Sequence, residues 1–204
     1  MSAAHELLPI FPLGTVLFPG GVLPLRIFEA RYMDMVRECM SASRPFGVCL
    51  ITQGREVGAP AEHESAGCMT RIEDWDMTEP GVLQLRTVGT HRFNVIETRV
   101  QANGLIRARV DPIEDDPVVA IPEELSACAT LIRRAIDDIC HREPEPLRRI
   151  IAEPYAPESA GWAANRLAEL LPLSMPSRQM LMTLADPLQR LALIHEVLQR
   201  EQVI

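Results

Sequence analysis

The chain has 204 residues, is 47% hydrophobic and 24% charged, and carries a formal net charge of −8. Its 20 basic residues are all arginines, and the lack of lysine excludes the phosphate-loop lysine of ATPases, Schiff-base chemistry and any Ser–Lys dyad. A chain this long removes roughly 70% of its extended surface from water on folding, so it needs no disulfide or metal to hold a core; its acidic balance disfavours a polyanionic partner.

Leu7 to Leu25 is uncharged and of membrane-spanning length. Pro9, Pro12, Pro19 and Pro24 interrupt it, and each internal proline costs a helix about 3 kcal/mol, so no spanning helix is expected. The start offers His5 and Glu6 where a signal peptide needs basic residues. Leu7–Phe11 and Val22–Leu25 read instead as strands around a Pro/Gly loop. Glu29 to Ser41 reads as a helix, with Tyr32, Met33, Val36 and Met40 at helical spacing. Phe46–Thr52 is an apolar run of strand length closed by Gly54 and Gly58. Cys68–Trp75, Val82–Val88, His91–Arg99 and Leu105–Val110 follow as short strands. Gly89-Thr90 suggests a tight hairpin and Asn103-Gly104 another turn. Short strands around a single helix are expected to curl into a small barrel.

Of the 11 glycines, all but Gly161 lie at or before Gly104, so the strand-rich part is expected to end near there. The segment Asp111-Pro112-Ile113-Glu114-Asp115-Asp116-Pro117 reads as a boundary, giving a barrel over 1–117 and a helical bundle over 118–204. The bundle's first helix follows Pro122, with Leu125, Cys128, Ala129, Ile132, Ala135, Ile136 and Ile139 on one face. Amphipathic patterns recur at Ser159–Leu171, Ser177–Ala185 and Pro187–Gln202, punctuated by prolines.

Catalytic and metal motifs fail on spacing. His195-Glu196 and His63-Glu64 begin like a zinc-protease helix, but Gln199 and Gly67 stand where the second imidazole is needed. Ser159-Ala160-Gly161 lacks the preceding glycine of a nucleophile elbow and is predicted inside a helix. Cys140 and His141 are neighbours that a helix points about 100° apart. The five cysteines (Cys39, Cys49, Cys68, Cys128, Cys140) form an odd, scattered set and read as free thiols of a reducing cytosol. No metal and no cofactor is expected. Arg86, Arg92, Arg99, Arg107 and Arg109 lie on adjoining strands with Glu97. They read either as a phosphate-binding face or as partners for the flanking acids, and the net charge favours the second. Strict alternation sets Trp75 on one strand face with Arg71 and Glu73, and Ile72 on the other. A tryptophan on that polar side is either covered by the helical half or free as a binding anchor.

The stretch Leu8-Pro-Ile-Phe-Pro-Leu-Gly-Thr-Val-Leu-Phe-Pro-Gly-Gly-Val-Leu-Pro-Leu-Arg-Ile-Phe-Glu-Ala-Arg-Tyr32, followed by Phe46-Gly-Val-Cys-Leu-Ile51, resembles the Lon protease N-terminal domain. Gly54-Arg-Glu-Val-Gly58, Gly67, Ile72 and Gly89-Thr-His-Arg-Phe93 fit the same pattern. Asn165-Arg-Leu-Ala-Glu-Leu-Leu-Pro-Leu173 and Asp186-Pro-Leu-Gln-Arg190 resemble its helical end. The resemblance is strongest to short bacterial proteins built of this domain alone, without ATPase or protease domains. It implies an α+β fold, a PUA-like β-barrel with one inserted helix followed by a C-terminal helical bundle. It also implies a substrate-recognising role rather than catalysis. Among the motif residues, Pro12, Pro19, Gly20 and Pro24 are expected to shape a loop. Phe11, Ile27 and Phe28 are expected to fill the core, and Phe18 and Arg31 belong to the same structural set.

The expected function is therefore a non-catalytic cytoplasmic module that binds exposed apolar segments of unfolded or partly folded proteins, as an adaptor or holdase alongside a protease or chaperone. Nine methionines suit promiscuous apolar contact, although methionine equally fills cores. RNA binding through the arginine-rich strands, and an enzyme or small-ligand site in a cleft between barrel and bundle, stand as alternatives. Neither nucleic acid nor membrane is the favoured partner. The peptide site is expected at Arg71, Trp75 and Met77, reaching a groove at the barrel–bundle junction.

Overall fold

A computed structural model describes residues 7–204. The start around His5 and Glu6 lies outside the described residues. The chain divides into two compact units, one running to Ile113 and the other from Glu114 to Ile204.

In the first unit β1 (Leu8–Leu13) and β2 (Val22–Ile27) precede helix α1 (Ala30–Ala42). Then come β3 (Phe46–Gln53), β4 (Glu62–Glu79), β5 (Val82–Val100) and β6 (Ile106–Pro112). The sheet order is β2-β5-β4-β3-β1-β6, and β5 also pairs with β6. Pairing thus runs round a partly closed ring of β1, β3, β4, β5 and β6, with β2 on the free flank of β5. β1 and β3 are parallel and the other pairs are antiparallel. One apolar cluster joins Phe11, Leu25, Ile27, Phe46 and Leu83 to the buried stripe Tyr32, Met35, Val36 and Cys39 of α1. Phe11 stacks on Tyr32 with ring centres 4.1 Å apart. A second cluster gathers Leu8, Ile10, Cys49, Phe93, Ile106 and Ala108.

Several local expectations are corrected. Val82–Val88 and His91–Arg99 are one strand, and the tight turn lies instead at Pro80-Gly81, where Gly81 has φ +80°. Gly89 serves close approach rather than turning: a Cβ there would stand 2.2 Å from the Phe18 carbonyl oxygen. Its amide and carbonyl bond to Gly21 and Gly20 of the loop before β2. Pro12 and Pro24 lie within strands, not in that loop. Pro24 is tolerated because β2 is an edge strand, and Pro12 because β1 has left its β6 partner by Ile10. Pro19 and Gly20 do sit at the turn, and Phe18 is fully buried. Phe28 is 56% exposed, so it does not fill the core as Phe11 and Ile27 do. It follows Ile27 on a strand whose outward neighbour is Arg26, and the chain then turns into α1. Arg31 is buried, 3.0 Å from Glu29 and stacked over Tyr32, which makes it a structural cation. Met33 and Met40 flank the buried stripe of α1 instead of belonging to it.

The second unit carries α2 (Ser126–Arg142), α3 (Ala160–Leu170), α4 (Met175–Thr183) and α5 (Pro187–Arg200), with 3-10 turns at Glu123–Leu125 and Pro146–Arg148. Its extended pairing includes the bridge from Ala120 to Ser159. Leu125, Cys128, Ala129, Ile132 and Ile136 bury the expected face of α2, while Ala135 and Ile139 are half-buried. Ser159 stands at the N-terminal boundary of α3 rather than inside it, and its side chain makes no capping hydrogen bond. The small residues Ala160, Ala163, Ala164 and Ala168 let α3 approach α5, which contributes Leu191, Ile194 and Leu198. Asp186 caps α5 by accepting the Leu188 and Gln189 amides.

Candidate functional site

The long strands β4 and β5 create the site. Along Ala66–Thr70, β4 is flanked by β3 and β5; the β3 register ends at Phe46 opposite Thr70. From Arg71 to Glu79 it pairs with β5 alone. The chain delivering β3 arrives at this point: α1 ends at Ser43 in the left-handed conformation (φ 50°), and Arg44 and Pro45 lead into the strand. Between that turn and β4 lies a groove of about 640 Å³, whose walls include Met40, Pro45, Ile72 and Trp75.

A bulge determines which side chains meet. Ile72 pairs with Thr87 but Asp74 pairs with Arg86, so two β4 residues span one step of β5 around Glu73. Alternation is reset by one residue. Trp75 stands opposite Leu85, itself opposite Leu25, on the same face as Ile72. The sequence expectation that Trp75 shares a face with Arg71 and opposes Ile72 is therefore corrected. Leu85 is buried, yet Trp75 remains 54% exposed because β4 has outrun β3.

Arg71 and Trp75 both line the groove, whereas Met77, 48% exposed, lies outside its lining. All the lining belongs to the first unit. Glu73 holds Arg71 at 2.9 Å and Arg86 at 3.3 Å. Arg71 is the exposed partner of this triad, with its side chain 68% exposed, whereas Arg86 is largely buried. The amides of Trp75 and Met77 donate to the carboxylates of the residues before them, Asp74 at 2.9 Å and Asp76 at 2.7 Å. Sequence reasoning missed Met40 and Ile72 as groove residues. Its spacing placed Met40 on the apolar stripe of α1, whereas the buried stripe runs through Met35, Val36 and Cys39 and leaves Met40 at its flank; Ile72 was hidden by the bulge.

Cys39 lies at the groove, but burial, with Glu38 adding to it, pushes its thiol up to about 11. Burial likewise raises Cys49 to about 12 and Cys128 to about 11, so these thiols stay protonated and poorly nucleophilic near neutrality. Cys140 is half-buried against the Tyr155 hydroxyl, and the neighbouring His141 ring bonds the Asp137 carbonyl instead. Among the described residues no group of three or more His, Cys, Asp or Glu is arranged to hold a metal. The strand arginines meet carboxylates: Arg86 meets Glu73, Arg99 and Arg109 meet Glu97, and Arg107 meets Glu38 of α1. Arg92 is buried.

The ATP-dependent protease La (LON) substrate-binding domain model matches residues 7–200. The chain belongs to this family. A solved Lon N-terminal domain protein from Xanthomonas campestris is 37% identical, with a TM-score of 0.76 over 94% of this chain and 98% of its own. The N-terminal domain of a Mycobacterium avium complex Lon protease shares the fold, with a TM-score of 0.60 at 15% identity over 94% of this chain and 97% of its own. A Lon protease of Anaeromyxobacter dehalogenans is 26% identical over 97% of this chain, which spans only 23% of that relative's length. The family motif and the groove are separate features of this Lon-type domain. Phe11, Phe18, Ile27 and Arg31 are buried, and none of the motif residues Phe11 to Arg31 lines the groove.

Proposed function

We propose that the chain is a non-catalytic module that holds exposed apolar segments of unfolded or partly folded proteins in the groove beside Trp75, as an adaptor or holdase for a protease or chaperone. The observation that carries this reading is a half-exposed tryptophan over an apolar groove, in a domain whose family is described by substrate binding. Large aromatic side chains with a desolvated neighbourhood are the usual energetic anchors of protein contacts. Arg71 stands at the rim, where its guanidinium can leave Glu73 for backbone carbonyls or an acidic side chain of the bound segment. The absence of lysine and of any phosphate-cradling Gly-rich loop in the sequence supports binding without turnover. Free cysteines support a reducing cytosolic setting, and no helix among the described residues is long and apolar enough to cross a membrane.

The test is Trp75→Ala, read by binding to a denatured model protein and by thermal unfolding. Loss of a hot-spot anchor weakens binding by about 2 kcal/mol, roughly thirtyfold. Because more than half of the side chain is already in water, the melting temperature should move little. A sharp fall in melting temperature with binding spared would make Trp75 part of the core and remove the site.

A further inference from the structure

Building on the groove reading above, we propose that the bound segment docks as an added β-strand along the open edge of β4, and that it carries alternating apolar and basic residues. From Arg71 to Glu79 the edge away from β5 has no strand partner among the described residues. That is about 30 Å of strand at ~3.3 Å per residue, enough for a short peptide. The amides of Trp75 and Met77 are two residues apart, the spacing at which backbone groups return to one edge of a strand. Both donate to a side-chain carboxylate rather than to β5. The Asp74 and Asp76 carboxylates therefore stand where the carbonyls of an incoming strand would sit. Acidic side chains on an edge also guard it against casual pairing.

Charge selects the occupant. Glu73 is held by Arg71 and Arg86, and Glu79 by Arg26 at 2.9 Å. Asp74 and Asp76 have no cation within ion-pair distance among the described residues, and both lie on the strand face opposite Trp75. When an incoming carbonyl takes the Trp75 and Met77 amides, those two carboxylates are released and need new partners. A strand presents alternate side chains to alternate faces. Residues on the Trp75 face meet the groove and are apolar; those between them meet Asp74 and Asp76 and are Lys or Arg. A second copy of this chain would bring the same acidic edge against itself, so like charges oppose self-pairing.

The probe is a short peptide alternating leucine and arginine, titrated against the whole protein by fluorescence anisotropy. Three comparisons accompany it: the peptide N-methylated at alternate amides in each phase, a leucine–glutamate peptide, and the variant Asp74→Asn/Asp76→Asn, which keeps an acceptor oxygen and removes the charge. Strand addition requires that one N-methylated phase bind about tenfold or more weaker while the other is spared, since only one set of amides faces β4. It also requires that the double variant and the glutamate peptide each lose about tenfold. If both N-methylated peptides bind like the parent and Trp75→Ala still abolishes binding, the strand mode is wrong and the groove reading survives. If the parent peptide and a denatured protein are both indifferent to Trp75→Ala, the groove reading falls with it. A concentration-dependent dimer that dissociates on Met77→Pro would assign the edge to a second copy and overturn the proposal.

Discussion

Removing the Asp116 carboxylate should unlock the helical unit. Arg190 of α5 is 1% exposed, and its guanidinium is satisfied on every side. Nε donates to the Leu181 carbonyl at 2.9 Å. Nη1 donates to Asp116 at 2.6 Å and to the Asn165 side-chain oxygen at 2.9 Å. Nη2 donates to Asp116 at 3.1 Å and to the Leu184 carbonyl. The cation thus joins α3, the C-terminal end of α4, α5 and the segment leading into the unit. Taking one partner from a buried ion pair costs about 3–5 kcal/mol, because the remaining charge stays desolvated. Asp116 is 16% exposed, so water can partly replace it, which points to the low end of that range for Asp116→Ala. Gly161 provides an internal control. A Cβ there would stand 2.7 Å from the Asp116 carboxylate, so Gly161→Ala should push the carboxylate off Arg190 and destabilise by about 1–3 kcal/mol. In the Asp116→Ala background the carboxylate contacts are gone and only the Cβ of residue 116 stays close, at 3.1 Å, so the cost of the same change should shrink, with the helix preference of alanine over glycine offsetting up to about 1 kcal/mol of it. The two tryptophans fall one in each unit, so with Trp75→Phe the Trp162 fluorescence reports the helical unit alone during urea unfolding. A loss of about 3 kcal/mol moves the midpoint by roughly 1.5–3 M for a urea slope of about 1–2 kcal/mol/M. An Asp116→Ala shift under about 1 kcal/mol, or a Gly161→Ala cost that persists undiminished in the double variant, would refute the network as the lock.

Thiol reactivity at mildly alkaline pH should be confined to Cys140 in the native protein, with the fully buried Cys68 and the three thiols of Cys39, Cys49 and Cys128 released only by denaturant; a colourimetric thiol titration checks this. Those three thiols have folded pKa values raised from 9.0 to about 11, 12 and 11, so the folded state keeps protons that the unfolded chain loses. Their contribution to stability is therefore complete below pH 9 and falls as pH rises towards 11–12, measurable as a declining denaturation midpoint that Cys49→Ala flattens. RNA should show no salt-sensitive binding near physiological ionic strength, because the strand arginines are matched by carboxylates and the net charge is −8. A complex that weakens steeply with salt and is lost on Arg107→Ala/Arg109→Ala would reverse that expectation.

What sequence alone determined was whatever depends on near neighbours along the chain. Prolines kept Leu7–Leu25 from being a helix, glycine placement separated the strand-rich part from the helical part, and the apolar stripe of α2 was visible in its spacing. These signals are local, since backbone propensity and periodicity act over one or two turns. Resemblance added the family, because its motif is a local run of residues, most of them buried in the sheet or placed at its first turn. The groove was less legible. Trp75 and Arg71 were identifiable as unusual strand residues, but their relative placement depends on the bulge at Glu73, which exists only because β5 sets the register opposite β4. The open edge depends on where β3 ends its pairing, at Thr70. Met40 entered the groove because tertiary packing chose Tyr32, Met35, Val36 and Cys39 as the stripe of α1. The Arg190 lock joins residues 74 positions apart. Burial of a charge is decided by which distant partner can neutralise it, and one-dimensional order carries no record of that until the chain has folded.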